Sequence, residues 1–200
     1  MEEHVENILV KAGKKLSALA RMSHILSFSK LRLLMKSFVE SQFSYCPLVW
    51  MFYSRTLNNR INKLQERSLR ILYRDDISCF EDLLIRDNSI TVHECNIKLL
   101  ATEMYKVENN ILPNLGEFFK KRELRYNLRN QLGFVRDKAN TTHYGTESIT
   151  ILGPKIWDII PSDIKNAGTL NSFKINIKKW KVENCPCRLC KTFVRDLGFL

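Results

Sequence analysis

LNNRINKLQERSLRILYRDD, residues 57–76, is the most regular stretch of the chain. Leu57, Ile61, Leu64, Ser68 and Ile71 step by four, three, four and three, the spacing that keeps side chains on one face of an α-helix. Arg60, Lys63, Arg67, Arg70 and Arg74 step by three, four, three and four, so a basic stripe runs beside the mostly apolar one. The first four basic residues each precede a member of the apolar stripe by one position, which sets the two faces roughly 100° apart. One face is available to a core and the other to a phosphate backbone. An ordinary solvated basic face accounts for the same pattern equally well.

Toward the N-terminus, Val5, Ile8, Leu9, Ala12, Leu16 and Leu19 recur at helical spacing and predict a first helix of about five turns. Ser29 can cap a second helix carrying Leu31, Leu34, Met35, Phe38 and Phe43, which Pro47 bends or ends just before Trp50, Phe52 and Tyr53. Past Arg74 the charge inverts: Asp75, Asp76, Glu81, Asp82, Asp87 and Glu94 face Arg86 alone. Two capping boxes punctuate this acidic stretch, Ser78 with Glu81 and Thr91 with Glu94. The second opens a helix with Ile97, Leu100, Ala101, Met104, Val107 and Ile111 on one face, stopped by Pro113. These acids read as helix caps and charge balance.

Between Lys120 and Lys138 the chain is basic again and its pattern loosens. Tyr126–Leu128 and Gly133–Val135 look extended, and Ser148–Leu152 alternates like a strand, which together predict a small β-hairpin or sheet. Gly153-Pro154 then starts a short helix bearing Ile156, Trp157 and Ile160, and Leu170, Phe173, Ile177 and Trp180 mark the last one. The expected fold is mainly α. A helical bundle occupies residues 1–115, and residues 116–200 form an extension with a small β element, a short basic helix and a Cys-rich tail.

A formal net charge of +11 and an isoelectric point near 9.5 call for an acidic partner, either nucleic acid or an anionic surface. The charge is clustered, which favours nucleic acid. From Lys174 to Arg195 the bases Lys174, Lys178, Lys179, Lys181, Arg188, Lys191 and Arg195 are opposed only by Glu183. Lys178, Lys179 and Lys181 therefore join the stripe of Arg60, Lys63, Arg67, Arg70 and Arg74 as candidate phosphate contacts. The longest uncharged run, Ser41–Ser54, has 14 residues and contains Pro47, whereas a membrane helix needs about 20. Met1–Asn7 is acidic and no apolar segment of signal type follows it. The expectation is an intracellular protein of the nucleus or cytoplasm, neither secreted nor membrane-bound, with reduced thiols.

Cys185, Cys187 and Cys190 are close enough in sequence to share one metal ion. Zinc takes about four ligands in a tetrahedron, so a fourth would come from afar, from Cys79, His93, Cys95 or His143. The alternatives are a zinc- or thiol-based interaction module that binds an acidic protein or surface, or three plain thiols on a basic tail. Tyr73-Arg74-Asp75-Asp76 has the form Tyr-x-Asp-Asp, but polymerase chemistry needs those aspartates on a β-hairpin beside a third one, holding two metal ions. Here the tetrapeptide closes a helix and reads as a helix end leading to a turn. Seven separated glycines build no phosphate loop, and no histidine stands in a catalytic spacing, so no catalytic residue is assigned.

Longer phrases carry a resemblance. They are KLSALARMS at 15–23, LMKSFVESQFSYCPLVWMFYSRTLNNRINKLQERSLRILYRDD at 34–76, SCFEDLL at 78–84, LLATEMYKV at 99–107, YNLRN at 126–130, THYGTESITILGPKIWDIIPSDIK at 142–165 and FKINIKKWKVENCPCRLC at 173–190. Across nearly its whole length the chain resembles the C-terminal region of the reverse transcriptase of jockey-like non-LTR (LINE-type) retrotransposons. The resemblance implies the helical thumb and C-terminal extension of an RNA-directed DNA polymerase. Its palm, with the catalytic aspartates, and its endonuclease domain would precede this region. It also implies a role in target-primed reverse transcription, holding RNA or an RNA–DNA duplex without performing chemistry or requiring a cofactor of its own. Arg60, Lys63, Arg67, Arg70 and Arg74 are the positions that it places in duplex contact.

Overall fold

The structure, a computed structural model, describes residues 2–112, 116–119, 121, 133–135, 148–182, 185–187 and 189. The chain is mainly helical and divides into two compact units, Met1–Asn96 and Ile97–Leu200.

In the first unit, α1 (Glu2–Met22) buries Val5, Ile8, Leu9, Ala12, Leu16 and Leu19, the stripe its spacing predicts. α2 (Phe28–Met35) starts one turn fraction earlier than the predicted Ser29 cap, after an extended Ser27. Its last turn passes into a π-helical turn, Lys36–Glu40, and then into α3 (Ser41–Ser44). The wider turn re-phases the face: Val39 is buried and Phe38 is exposed, where a regular helix would send Phe38 inward. The chain leaves helical geometry before Pro47. Cys46 takes a left-handed conformation, and Pro47 opens α4 (Pro47–Trp50), where its missing N–H costs nothing. Trp50 is buried and donates its indole N–H to the Tyr45 carbonyl at 2.8 Å.

α5 (Arg55–Tyr73) is the stretch that organises this unit, and it packs on α1 and α2. Ser54 caps it by accepting from the Leu57 N–H, and Arg74 ends it in a left-handed conformation. Its buried residues are Leu57, Asn58, Ile61, Ser68, Leu69 and Leu72. Leu64 and Ile71, two members of the predicted stripe, lie on its flank half-buried. A stripe stepping by 3.5 drifts about 20° per heptad on a helix of 3.6 residues per turn, so along the series Leu57, Leu64, Ile71 the later two swing off the core. Leu69 and Leu72 take their place. At 100° per residue the buried set is centred roughly 160° from the basic stripe, so the two are nearly opposite instead of adjacent.

α6 (Phe80–Asp87) is capped by Cys79, whose sulfur accepts from the Asp82 N–H at 3.5 Å. The cap thus falls one residue later than the predicted Ser78–Glu81 box. The Thr91 cap is as predicted, its hydroxyl accepting from the Glu94 N–H at 3.2 Å, and α7 (Val92–Glu108) follows. The boundary between the units, after Asn96, falls within the range of α7.

α7 buries Ile97, Leu100, Ala101, Met104 and Val107, while Ile111 lies beyond the helix end and is exposed. Ser148–Leu152 is helical and not a strand: α8 (Ile149–Ile159) runs straight through Gly153 and Pro154. Alternation misleads there because Ile151, Leu152, Gly153, Pro154, Ile156 and Trp157 are all buried, and a helix buried on most sides has no polar face to reveal its period. The helix reaches α7 closely at Gly153. A Cβ at that position would stand 2.7 Å from the Met104 sulfur and 3.3 Å from the Phe119 ring. α9 (Ser162–Lys165) and α10 (Leu170–Lys179) complete the set, α10 capped by Thr169 through the Ser172 N–H.

An aromatic chain forms the second core. Tyr105 stacks on Phe173 with centroids 4.3 Å apart, Phe173 meets Trp157 at 6.2 Å, Trp157 meets Phe134 at 6.3 Å, and Phe134 meets Phe119 at 5.8 Å. Among the described residues the only β element is an isolated antiparallel bridge between Lys121 and Phe134. Tyr126–Leu128, the other half of the predicted hairpin, lies outside the described residues.

Candidate nucleic-acid faces and a candidate metal centre

The basic stripe of α5 is on the surface, but its members are not equivalent. Arg60 is exposed and donates to Glu6 at 3.2 Å, and Arg70 is half-buried and bridges Glu66 one turn back at 2.7 Å. Arg74, past the helix end, donates to the Ser23 carbonyl at 3.2 Å. Lys63 and Arg67 are exposed with no acidic partner among the described residues. They lie four residues apart, on one face one turn from each other. An exposed ion pair contributes little to stability, yet it cancels charge that a phosphate would otherwise meet. Lys63 and Arg67 are therefore the cations of this face most available to an anion. In the second unit, Lys174, Lys178 and Lys179 are exposed on α10, and Lys181 is exposed just after it. The two basic faces belong to different units, and each is a surface of its own unit.

The Tyr73–Asp76 tetrapeptide is structural, as a helix end leading to a turn should be. The two oxygens of Asp75 accept from the Ile77 N–H at 3.0 Å, the Ser78 N–H at 2.9 Å and the Ser78 hydroxyl at 2.7 Å, with Arg86 at 3.4 Å. The Ser78 donors, then Ile77, and Arg86 last hold its carboxyl down from the usual 3.8 to about 2. A depressed folded value stabilises the fold above 3.8, and the contribution is lost as pH falls through about 2. Melting of the wild type and an Asp75→Asn variant, followed by circular dichroism, should differ fully above that window and converge below it. A difference that persists unchanged into acid would contradict the assignment.

Around this turn, Tyr73 donates to Asp87 at 2.9 Å, Asp87 pairs with Arg32, and the Arg86 guanidinium lies over the Tyr73 ring at 4.6 Å. Sequence reading passed over this network, which joins side chains from α2, α5 and α6. Beside it is a cavity of about 390 Å³ with Leu26, Phe28 and Leu72 as apolar lining and Arg74 and Arg86 at its polar side.

The cysteine cluster is partly within the described residues. Cys185 and Cys187 are buried, and Cys190 lies outside them. Of the four distant donors, Cys79 is occupied as the cap of α6. Its thiol donates to the Asp82 carboxylate at 3.0 Å, and that bond first of all raises its pKa above the ordinary thiol value. Cys95 is exposed on α7, and His143 is outside the described residues. His93, in the first turn of α7, is buried in the first unit, whereas Cys185 and Cys187 are buried in the second.

The buried Lys98, on α7, donates its ammonium to the Lys178 carbonyl at 3.0 Å, a cation placed at the C-terminal end of α10. That bond holds the end of α10 against α7 within the second unit.

Among the described residues no helix is long and apolar enough to cross a membrane. No protein-family model, no curated protein and no solved structure matches the chain.

Proposed function

We propose that this chain is a non-catalytic nucleic-acid-binding unit that holds RNA or an RNA–DNA duplex by its phosphates. In the reading suggested by its resemblance to jockey-like non-LTR retrotransposon reverse transcriptases, it serves as thumb and C-terminal extension during target-primed reverse transcription. The palm and endonuclease domains of the parent polymerase supply the chemistry, and the compartment is the nucleus or cytoplasm. The observation that carries the proposal is the face of α5: Lys63 and Arg67 stand exposed and without an acidic partner, nearly opposite the core. The exposed lysines of α10 and Lys181 add a second such face.

Each phosphate neutralised contributes roughly 0.9 to the slope of log affinity against log salt. Engagement of about four phosphates gives roughly a hundredfold loss of affinity between about 50 and 200 mM salt. Fluorescence anisotropy with a labelled RNA–DNA hybrid measures this directly. Affinity that does not change with salt would overturn the proposal, and preferential binding of an acidic polypeptide over the duplex would favour an interaction module instead.

A further inference from the structure

We infer that the cavity at the C-terminal end of α5 is a nucleotide site, taking a planar base against the Phe28 and Tyr73 rings and the attached phosphate at Arg74 and Arg86. The inference continues the phosphate-binding face of α5 and rests on that reading for its choice of ligand. Every residue it uses belongs to the first unit. The cavity measures about 390 Å³, within the roughly 300–1,000 Å³ of pockets that hold small molecules. Leu26 and Leu72 give it apolar lining, Phe28 and Tyr73 give it rings, and Arg74 and Arg86 give it positive charge. No acidic side chain among the described residues lines it. Such a lining selects a ligand with one flat apolar part and one negative part.

The lining groups are held in place. The Tyr73 hydroxyl donates to Asp87 at 2.9 Å and Asp87 pairs with Arg32, which ties the far end of the ring. The Arg86 guanidinium lies over that ring at 4.6 Å and reaches Asp75 through a single nitrogen at 3.4 Å. Arg74 donates to the Ser23 carbonyl at 3.2 Å, again through one nitrogen. A guanidinium carries five donors in a planar fork, so both arginines keep donors for phosphate oxygens. Phe28 is 53% exposed, with its ring centroid 5.5 Å from that of Tyr73, and its exposed face is available to a base. Arg74 is also the last member of the basic stripe, about two turns beyond Arg67. A strand whose phosphates follow Lys63 and Arg67 therefore arrives at the cavity. An unpaired nucleotide at the end of such a strand and a free nucleoside monophosphate offer the same groups to it.

The test titrates the full chain by calorimetry with AMP, adenosine and inorganic phosphate. The expected result is one AMP per chain, bound at least about tenfold more tightly than adenosine or phosphate. Phe28→Ala should weaken AMP about tenfold and leave the binding of a blunt RNA–DNA hybrid unchanged. Arg74→Gln should weaken AMP by a similar factor and leave adenosine binding unmoved. Both side chains are exposed, so the helical circular-dichroism signal should be kept in each variant. A one-nucleotide overhang that raises hybrid affinity in the wild type, and not in Phe28→Ala, identifies a strand end as the source. AMP binding without that gain identifies the free nucleotide. Hybrid binding without AMP binding overturns the pocket alone, whereas AMP binding without hybrid binding keeps the pocket and overturns the duplex reading. AMP held equally by the wild type, Phe28→Ala and Arg74→Gln would also overturn the site, as would adenosine or phosphate bound as tightly as AMP.

Discussion

Replacing Trp157 with alanine is expected to cost about 3–5 kcal/mol, seen as a lower denaturant midpoint for the second unit. Trp157 is 1% exposed and stands between Phe134 and Phe173 in the aromatic chain, with the Lys165 ammonium 5.6 Å above its ring. Truncation removes the largest side chain of that core and leaves a cavity that Phe134 and Phe173 cannot both fill. Trp157→Phe should cost far less. The indole N–H is buried without a hydrogen-bond partner among the described residues, so deleting it relieves a desolvation penalty of about 1–3 kcal/mol that offsets part of the lost packing. Equal losses for the two variants would show that the nitrogen has a partner or that the ring is not central.

Burial also bears on Lys165. Desolvation pulls its pKa below the ordinary lysine value, against the opposing pull of Asp158 and then Glu108. The cation is thus held between a ring face and two carboxylates at the edge of the same core.

The first unit was the more legible in the sequence. The α1 stripe from Val5 to Leu19 is buried residue for residue, because a helix with one solvated face writes its period plainly. The end of α5 was equally clear, since a helix stopping at Tyr73 leaves Asp75 free to cap the turn that follows. What was not legible has physical causes. The drift of a 3.5-residue stripe on a 3.6-residue helix moved the α5 core face onto Leu69 and Leu72. A π-helical turn exchanged Phe38 for Val39, and nothing in the local sequence announces it. Ser148–Leu152 alternates, but burial on most sides makes strand and helix indistinguishable by period.

The fold also sharpens the basic face. Five cations step along α5, yet Glu6 and Glu66 already engage Arg60 and Arg70, and Arg74 is held at the helix end. Reversing Lys63 and Arg67 together, as Lys63→Glu with Arg67→Glu, is therefore expected to lower duplex affinity by roughly a hundredfold. Both side chains are exposed and make no ion pair among the described residues, so stability should move by no more than about 0.5 kcal/mol. Reversing Arg60 and Arg70 should do the opposite: a smaller loss of affinity, with a measurable loss of stability from the new repulsion against Glu6 and Glu66.

The most direct measurement is the salt dependence of RNA–DNA hybrid binding by the wild type and by the Lys63→Glu/Arg67→Glu variant. The wild type should give a steep line in log affinity against log salt. The variant should give a line shallower by about 2, with its helical circular-dichroism signal intact. A flat line for the wild type, or two lines of equal slope and height, would contradict the assignment of this face to phosphate binding.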